Sequence, residues 1–330
     1  MKALVARDYG PPESYELAEL PVPEPGPGQL QVRVAAAALN AADLRLPAGD
    51  FREVAPLTFP HVPGNDFAGT VTKVGDGVTA YRVGDEVFGF ALPRALRAMA
   101  GPRPSLGTGA LAEYVVVEAD TPFVAHRPAG LDPVAAAALP IVGSTALALL
   151  HHAAVRPGGT VLVIGATGGV GTAVLPLLAA AGATVLATAT RDDGDLLRKL
   201  GAAEVLDYRA ADPVEEALRQ YPSGVDLVVN LVLPSDDLTG PARALRPGGR
   251  LLTITFPPPG PDATGRDDVT VTLVLDMAGE YGAMREVAGH AAAGRLRATI
   301  GRSHPLDGAG RACVEFAREH TTGKVVVTMA

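Results

Sequence analysis

The chain has 330 residues, about twice the size of a typical domain, so its length predicts two domains. It carries 28 Lys and Arg against 36 Asp and Glu, a net charge of −8 without any block of like charge, which argues against a nucleic-acid-binding protein. Hydrophobic residues make up 48% of the chain and charged residues 19%, which excludes intrinsic disorder, and the 38 glycines and 29 prolines follow no period, which excludes collagen.

The N-terminal third is rich in glycine, proline and short β-type segments. Met1–Arg7 runs directly into a strand-like pattern without an apolar signal core, so we expect a cytoplasmic protein. Leu92–Leu106 interrupts the β pattern and contains three arginines, Arg94, Arg97 and Arg103. This segment is either a solvated loop or a mobile lid over the substrate entrance, whose arginines would meet an anionic group.

Residues Pro157–Thr190 carry no charge, and a hydropathy window alone would mark them as a membrane span. Their glycines favour a different division, into a strand at Thr160–Ile164, an apolar helix at Gly168–Ala181 and a strand at Thr184–Thr188. A strand, a glycine-rich turn, a buried helix and a second strand form the βαβ unit of a nucleotide-binding sheet.

The turn between strand and helix carries Gly165, Gly168 and Gly171 in a GxxGxxG spacing. Glycine lets the backbone turn sharply, approach a pyrophosphate closely and pack the helix tightly on the strand. The helix N-terminus then offers free N–H groups and its positive dipole to the phosphates. The turn therefore predicts a dinucleotide site, with a tight βα turn without a ligand as the alternative.

The residues after the second strand indicate which dinucleotide would bind. NAD-binding proteins place an acidic residue there for the ribose 2′-hydroxyl, but this chain has Ala189, followed closely by Arg191. An arginine suits the 2′-phosphate of NADPH, so we expect NADPH as the cofactor. Asp192 and Asp193 come next, and the alternative is that Arg191 is a solvated loop charge.

The β pattern continues towards the C-terminus. Further strands are predicted at Val205–Asp207, Asp226–Asn230, Arg250–Phe256 and Val269–Asp276. The last one is apolar and β-branched, so it is either an edge strand that pairs between subunits or a strand capped within its own chain.

The chain contains a single cysteine, Cys313, within a predicted helix at Asp307–His320. One cysteine permits neither an internal disulfide nor a zinc site with several thiolates. We expect Cys313 to be a small buried residue.

Several short motifs follow one another in an order that resembles the medium-chain dehydrogenase/reductase superfamily, specifically its zinc-free quinone oxidoreductase branch. The motifs are Asn40-Ala41-Ala42-Asp43 followed by Gly49, Pro63-Gly64-Asn65-Asp66-Phe67-Ala68-Gly69, Gly109-Ala110-Leu111-Ala112-Glu113-Tyr114, Gly143-Ser144-Thr145-Ala146 and Gly323-Lys324-Val325-Val326. The resemblance covers nearly the whole chain. It implies an α/β protein with a GroES-like β-barrel catalytic domain, residues 1–123 and 278–330, and a Rossmann doubly wound parallel-sheet NADP-binding domain, residues 124–277.

The resemblance also bears on metal binding. Zinc-dependent relatives have a cysteine just before the position of Asp43 and a Gly-His-Glu sequence where this chain has Gly64-Asn65-Asp66. Because the cysteine and the histidine are both absent here, we expect no metal site.

The family's active-site segment maps onto Asn40, Asp43 and Arg45, which are the expected catalytic residues. Asn40 would lie by the nicotinamide ribose and hold a ribose hydroxyl or a substrate oxygen, or else only close a turn. Asp43 would brace the Asn40 loop rather than act as an acid. Arg45 occupies a position where some enoyl reductases have a proton-donating tyrosine, so the proton would come from an unassigned donor, for example water.

The resemblance and the glycine turn together give the expected cofactor-binding residues. These are Asn40, Thr145, Gly165, Thr167, Gly168, Gly169, Val170, Gly171, Arg191, Tyr208, Leu231, Phe256 and Lys324. For Thr145 the alternative role is a helix cap before Ala146–Leu150. For Tyr208 the alternative is a partly buried packing residue.

The function implied is an NADPH-dependent, zinc-independent oxidoreductase that transfers hydride to a small activated C=C or quinone substrate, in a protein expected to form a homodimer. Leu233 and Phe256 replace smaller family residues and would add bulk near the nicotinamide. They favour the alternative of a redox-silent cyclase or isomerase of a biosynthetic pathway. A third possibility is a binding role in which NADP serves only stability.

Overall fold

The protein is described from a computed structural model that covers residues 1–329. The chain forms two compact units, one made of residues 1–144 with the segment from residue 277 onwards, the other of residues 145–276. No helix among the described residues is long and apolar enough to cross a membrane.

The N-terminal part of the first unit is mainly β-structure. Its elements are β1 (Lys2–Val5), β2 (Glu16–Glu19), β3 (Gln29–Ala38), α1 (Ala41–Ala48), β4 (Asp66–Val74), β5 (Glu86–Phe90), β6 (Leu92–Pro93), β7 (Leu106–Gly107), β8 (Tyr114–Glu118), β9 (Val124–His126), α2 (Pro133–Ala137) and α3 (Pro140–Ala153), which continues into the second unit. Seven strands of a nine-stranded sheet follow one another in the order β6-β7-β8-β3-β4-β5-β9, and the other two come from the C-terminal segment. Helix α2 packs on β3 and β4, so the first unit extends beyond residue 123.

The second unit alternates strands and helices. Its elements after α3 are β10 (Thr160–Ile164), α4 (Gly169–Ala180), β11 (Thr184–Ala189), α5 (Gly194–Lys199), β12 (Glu204–Asp207), α6 (Pro213–Gln220), β13 (Val225–Asn230), α7 (Thr239–Ala242), β14 (Leu245–Thr253) and β15 (Thr270–Leu273). All six strands are parallel, in the order β12-β11-β10-β13-β14-β15. This is the Rossmann strand order.

The C-terminal segment returns to the first unit. Its elements are α8 (Met284–Ala292), β16 (Ile300–Pro305), α9 (Ala309–Arg318) and β17 (Lys324–Thr328). Strand β17 pairs antiparallel with β3 and parallel with β16, so both ends of the chain contribute to one sheet. Cys313 on α9 is fully buried in the core of this unit, as the sequence predicts.

The uncharged stretch around the glycine turn is a buried βαβ unit. The middle of β10 is fully buried, and α4 is buried over most of its surface. A parallel strand covered on both faces needs apolar residues throughout. The hydropathy of this stretch therefore resembles that of a membrane span. The predicted strands and helix lie where expected, with α4 one residue shorter at each end.

The arginine-containing segment 92–106 forms regular secondary structure over part of its length. It contains β6, a short 3₁₀-helix at Arg94–Met99 and β7. Arg97 lies 3.8 Å from Glu118, and Arg103 lies 2.7 Å from Asp120. Two of the three arginines therefore already have acidic partners, and a role as a mobile lid stays a prediction.

Candidate functional site

In the second unit, the sheet reverses its order between β10 and β13. Ligands of open parallel sheets bind outside the carboxyl ends of the strands at such a switch point. The glycine turn follows β10 directly, and Leu231 follows β13. Leu231 donates its N–H to the carbonyl of Ile164 at 3.0 Å, which joins the two strand ends.

Glycines of the turn are required for two different reasons. Gly165 has a φ of +86°, a backbone conformation that side chains disfavour, and its N–H donates to Thr188 Oγ1 at 3.1 Å. A Cβ on Gly171 would lie 2.4 Å from the carbonyl oxygen of Ala166, so only glycine lets α4 pack against the turn. A Cβ on Gly168 would meet only Gly165 O, at 3.6 Å, so the space beside it is open.

The N-terminus of α4 supplies the donors that a phosphate needs. The first helical bond runs from Thr172 N–H to Gly168 O at 2.9 Å, so the N–H groups of Gly169, Val170 and Gly171 precede it. Thr167 is buried within the turn, with 7% of its surface exposed. The open space at Gly168 and the row of N–H groups fit a pyrophosphate.

The loop after β13 is held by a buried polar network. Asn230 is fully buried, and its Nδ2 donates to Leu233 O at 2.8 Å and to Thr253 Oγ1 at 3.0 Å. Its Oδ1 accepts the N–H of Leu233 at 2.9 Å. Ser235 adds a hydroxyl contact of 2.6 Å to Thr253. In the sequence, Asn230 is only the last residue of a predicted strand, whereas in the structure its side chain holds this loop through hydrogen bonds.

Arg191 and Tyr208 lie at the carboxyl ends of neighbouring strands. Arg191 opens a 3₁₀ turn after β11, is exposed, and pairs with no acid among residues 1–329. Tyr208 follows β12, its N–H donates to Ala189 O at 3.2 Å, and 45% of its surface is exposed. This exposure is compatible with a contact to the cofactor and with partly buried packing, so both roles of Tyr208 stay predictions.

Two further residues expected at the cofactor lie in the second unit. Thr145 is within α3 and is half-buried. The alternative role of Thr145 as a helix cap is wrong, because α3 begins at Pro140, whose fixed φ suits a first helical position. Phe256 is half-buried and lies beyond β14, which ends at Thr253, earlier than predicted.

In the first unit, Asn40 lies at the centre of a cluster of ionisable groups. Its Oδ1 accepts from Lys324 Nζ at 2.7 Å, and its Nδ2 donates to Asp66 Oδ2 at 2.9 Å. The second hydrogen of Nδ2 is directed at Ala38 O, 3.5 Å away. Asn40 itself is half-buried, so its amide is partly accessible.

Asp43 braces the backbone next to Asn40. Its Oδ2 accepts the N–H of Asn40 at 2.7 Å, while its Oδ1 has no hydrogen-bond partner among residues 1–329. Burial raises the pKa of Asp43 to about 7, the hydrogen bond from Asn40 opposes the rise, and the charge of Asp66 adds to it. This geometry agrees with the expected bracing role.

Arg45 has local partners. Its Nε lies 2.7 Å from Asp50 Oδ2, and its guanidinium lies 5.1 Å from the ring centre of Phe51. Because a guanidinium keeps its protons at any ordinary pH, Arg45 cannot replace a proton-donating tyrosine.

Lys324 is buried, with 3% of its surface exposed, and all three of its ammonium hydrogens have acceptors. They are directed at Leu39 O at 2.7 Å, Asn40 Oδ1 at 2.7 Å and Asp66 Oδ2 at 3.1 Å. Asp66 Oδ1 also accepts the N–H of Ile141 at 3.1 Å. The structure thus gives Lys324 partners inside its own unit, and a direct contact with the cofactor stays a prediction.

Two family models match the chain. The alcohol dehydrogenase GroES-like domain matches residues 26–128, and the zinc-binding dehydrogenase domain matches residues 200–327. The first unit therefore has the GroES-like fold that the motifs predict.

The second model's description implies zinc, so its fit to the residues present has to be tested. Described residues 1–329 contain no group of three or more His, Cys, Asp or Glu side chains that could hold a metal ion. Asp66, which follows Asn65 at the place of the relatives' histidine, accepts from the Lys324 ammonium, and this charge would repel a second cation. Burial raises the pKa of Cys313 to about 12, which keeps its thiol neutral. Zinc does not fit, and none enters the chemistry below.

Whole-chain relatives agree with these domains. A chloroplast envelope quinone oxidoreductase homolog of Arabidopsis thaliana is 32% identical, over 99% of this chain and 98% of the relative. An NADPH-dependent alkenal/one oxidoreductase of the same plant is 31% identical, over 99% of this chain and 79% of the relative. The structure of the quinone oxidoreductase from Coxiella burnetii superimposes with a TM-score of 0.84 at 26% identity, over 100% of this chain and 99% of the other. The chain belongs to the medium-chain dehydrogenase/reductase superfamily, in its quinone oxidoreductase-like branch.

Proposed function

We propose that this protein is an NADPH-dependent, zinc-independent reductase of a small activated C=C or a quinone. The observation that carries the cofactor choice is Arg191, an exposed cation without an acidic partner at the end of β11, the strand next to β10 and its glycine turn. A relative named for NADPH-dependent reduction of alkenals and alkenones supports the substrate class.

The residues of the second unit would hold the cofactor. The N–H groups of Gly169, Val170 and Gly171 would bind its pyrophosphate, and Arg191 its 2′-phosphate. Leu231 at the end of β13 would border its nicotinamide half. When bound, NADPH supplies a hydride from C4 of the nicotinamide.

Asn40 would contribute as a hydrogen-bond acceptor. Its Nδ2 hydrogens are directed at Asp66 and Ala38, and its Oδ1 accepts from Lys324, so both amide hydrogens already have acceptors. Of the two expected roles, this arrangement favours holding a hydroxyl, such as that of the nicotinamide ribose, over donating to a substrate oxygen.

The proton that completes the reduction would come from water. Arg45 cannot supply it, and Asp43 is buried, with one of its oxygens bound to the backbone of Asn40. The protein would then act mainly by orienting the two reactants and keeping bulk solvent away from the transferred hydride.

The proposal is tested by following the loss of NADPH absorbance with a panel of quinones and enones, with NADH measured in parallel. Turnover with NADPH and little with NADH is expected. Binding of NADPH without reduction of any acceptor would contradict the reductase and favour a redox-silent cyclase or isomerase.

Arg191→Ala tests the cofactor preference. Because this variant loses a charge-assisted hydrogen bond, we expect the Kd for NADPH to rise about 10- to 100-fold. The Kd for NADH should remain almost unchanged. Arg198→Ala is the matched control, since Arg198 is an exposed arginine on α5 that pairs with Asp195 at 3.2 Å. Equal losses for NADPH and NADH would remove the assigned role of Arg191.

We also propose that the protein is a homodimer. Strand β15 is the edge of the six-stranded sheet, and its outer side has no partner strand among residues 1–329. Leu275, just beyond β15, has 55% of its surface exposed. An edge strand followed by an exposed apolar residue favours pairing with a second copy.

A further inference from the structure

The buried ion pair of Lys324 and Asp66 has an unusual pattern of partners. Both side chains have less than a twentieth of their surface exposed, and both bond the same amide, that of Asn40. Replacing a buried ion pair by apolar residues is often neutral or stabilising, so stability alone does not explain why this pair is present.

The two charges determine how the Asn40 amide is oriented. Its oxygen meets the ammonium at 2.7 Å, and its nitrogen meets the carboxylate at 2.9 Å. The reverse orientation would place NH₂ hydrogens against the ammonium and the amide oxygen against the carboxylate, which are two repulsive contacts. The ion pair therefore leaves only one stable orientation of the amide.

Other elements hold the ion pair itself in place. Lys324 also donates to Leu39 O at 2.7 Å, and Asp66 accepts the N–H of Ile141 at 3.1 Å. The three segments that meet here are distant in sequence, since Lys324 is 284 residues from Asn40 and 258 from Asp66. The ion pair is therefore anchored by β4, α3 and β17, and this anchoring restricts the movement of the Asn40 amide.

We propose that Lys324 and Asp66 are positioning residues that fix the Asn40 amide with its oxygen towards Lys324 and its NH₂ group towards Asp66, so that it can serve the reaction as a hydrogen-bond acceptor and not as a donor. The inference rests on the proposed reductase function, in which Asn40 accepts a hydroxyl. It goes beyond that function because it assigns the orientation of the Asn40 amide to two residues that need not contact any ligand.

The orientation can be observed directly. The chain contains three asparagines, Asn40, Asn65 and Asn230, so selective ¹⁵N-asparagine labelling gives three side-chain NH₂ groups in an NMR spectrum. Asn40→Ala assigns the signal of interest. In the wild type, we expect the two hydrogens of this group to be slow to exchange with solvent, because one donates to a buried carboxylate.

The decisive variant removes both charges at once. Lys324→Met alone leaves a buried unpaired carboxylate and is expected to lose stability, whereas Lys324→Met with Asp66→Asn leaves none and should fold. Asp66→Asn adds a fourth asparagine, whose signal is assigned from that single variant. Lys73→Met is the matched control, since Lys73 is an exposed lysine that pairs with Glu24 at 2.6 Å.

In the double variant, we expect faster exchange and a shifted signal for the Asn40 amide. We also expect kcat/KM for NADPH-dependent reduction to fall about 10- to 100-fold, as misplaced contacts at a reacting centre do. The Kd for NADPH should rise less than about fivefold, because the phosphate-binding residues of 145–276 are untouched.

A double variant with wild-type amide exchange, or with freed exchange but wild-type kcat/KM, would overturn the proposal. Recovery of both stability and activity in the double variant would mean that the pair is structural only. If the wild-type protein reduces no acceptor, the proposed function fails, but the NMR measurement still decides whether the ion pair orients Asn40.

Discussion

Asp43 makes the stability of the protein depend on pH. Its native pKa of about 7 lies above the value of about 3.9 in an unfolded chain, so between these two pH values the native state binds a proton that the unfolded state does not. The contribution of Asp43 to the free energy of unfolding is therefore expected to fall as pH rises from about 4 to about 7, by at most about 1.4 kcal/mol per pH unit.

The variant Asp43→Asn should lack this contribution. An asparagine oxygen can still accept the N–H of Asn40, so the α1 start is preserved. The stability of Asp43→Asn relative to the wild type, measured by urea unfolding at several pH values, should rise between pH 4 and 7. A constant difference over that range would contradict the raised pKa.

Gly171 lies in surroundings that leave no space for a side chain, so the effect of Gly171→Ala on the unfolding free energy can be predicted. In Gly171→Ala, the new Cβ would lie 2.4 Å from the backbone oxygen of Ala166, which cannot move without displacing the turn. We expect a loss of about 1–3 kcal/mol in unfolding free energy and weaker NADPH binding.

Gly289→Ala is the control for this substitution. Gly289 lies within α8, and its Cβ would have no neighbour within 4 Å. Alanine favours a helix over glycine, so this variant should gain about 0.5–1 kcal/mol. A Gly171→Ala variant as stable as Gly289→Ala would show that the turn is less tightly packed than the structure indicates.

At the scale of elements, the conformation of the loop after β13 is stabilised by one buried asparagine, Asn230. Asn230→Ala would leave the N–H of Leu233 without its side-chain partner, whereas the carbonyl of Leu233 would keep the hydroxyl of Thr255. Unsatisfied buried groups cost about 1–3 kcal/mol each, so the free energy of unfolding should fall by that order. Asp195→Ala, at a highly exposed carboxylate, should change it by less than about 0.5 kcal/mol.

This loop also borders the glycine turn, since a Cβ on Gly165 would lie 3.1 Å from Val232. We therefore expect Asn230→Ala to raise the Kd for NADPH several-fold, measured by fluorescence titration. Unchanged affinity would mean that the loop is not part of the dinucleotide site.

Predicted elements agree with the structure best where the local pattern is strong. The β10–α4–β11 unit was predictable because burial on both faces demands an uncharged, apolar sequence. The last strand was predicted too long, at Val269–Asp276, because β15 pairs with β14 only over Thr270–Leu273. Strand length is decided by the partner strand, which a local pattern does not contain.

At the scale of the whole molecule, the proposed dimer has a simple test. Light scattering coupled to gel filtration should give a mass of about twice the 33.7 kDa of one chain. Leu275→Lys, beside the edge strand, should shift the mass towards the monomer, because a charge would be buried in the interface. Val83→Lys, at an exposed apolar residue of the first unit, should not shift the mass. A monomeric wild type would contradict the dimer.

The sequence by itself determined the fold class, the glycine turn, the family and Arg191 as a candidate phosphate ligand, because each of these depends on residues close together in the chain. The tertiary structure alone decided the partners of Asn40. Lys324 and Asp66 come from strands at opposite ends of the sequence, and the pairing of β17 with β3 and of β3 with β4 brings them to one amide. Sequence periodicity reports which residues are buried, whereas hydrogen bonds between buried polar groups depend on which strands lie side by side.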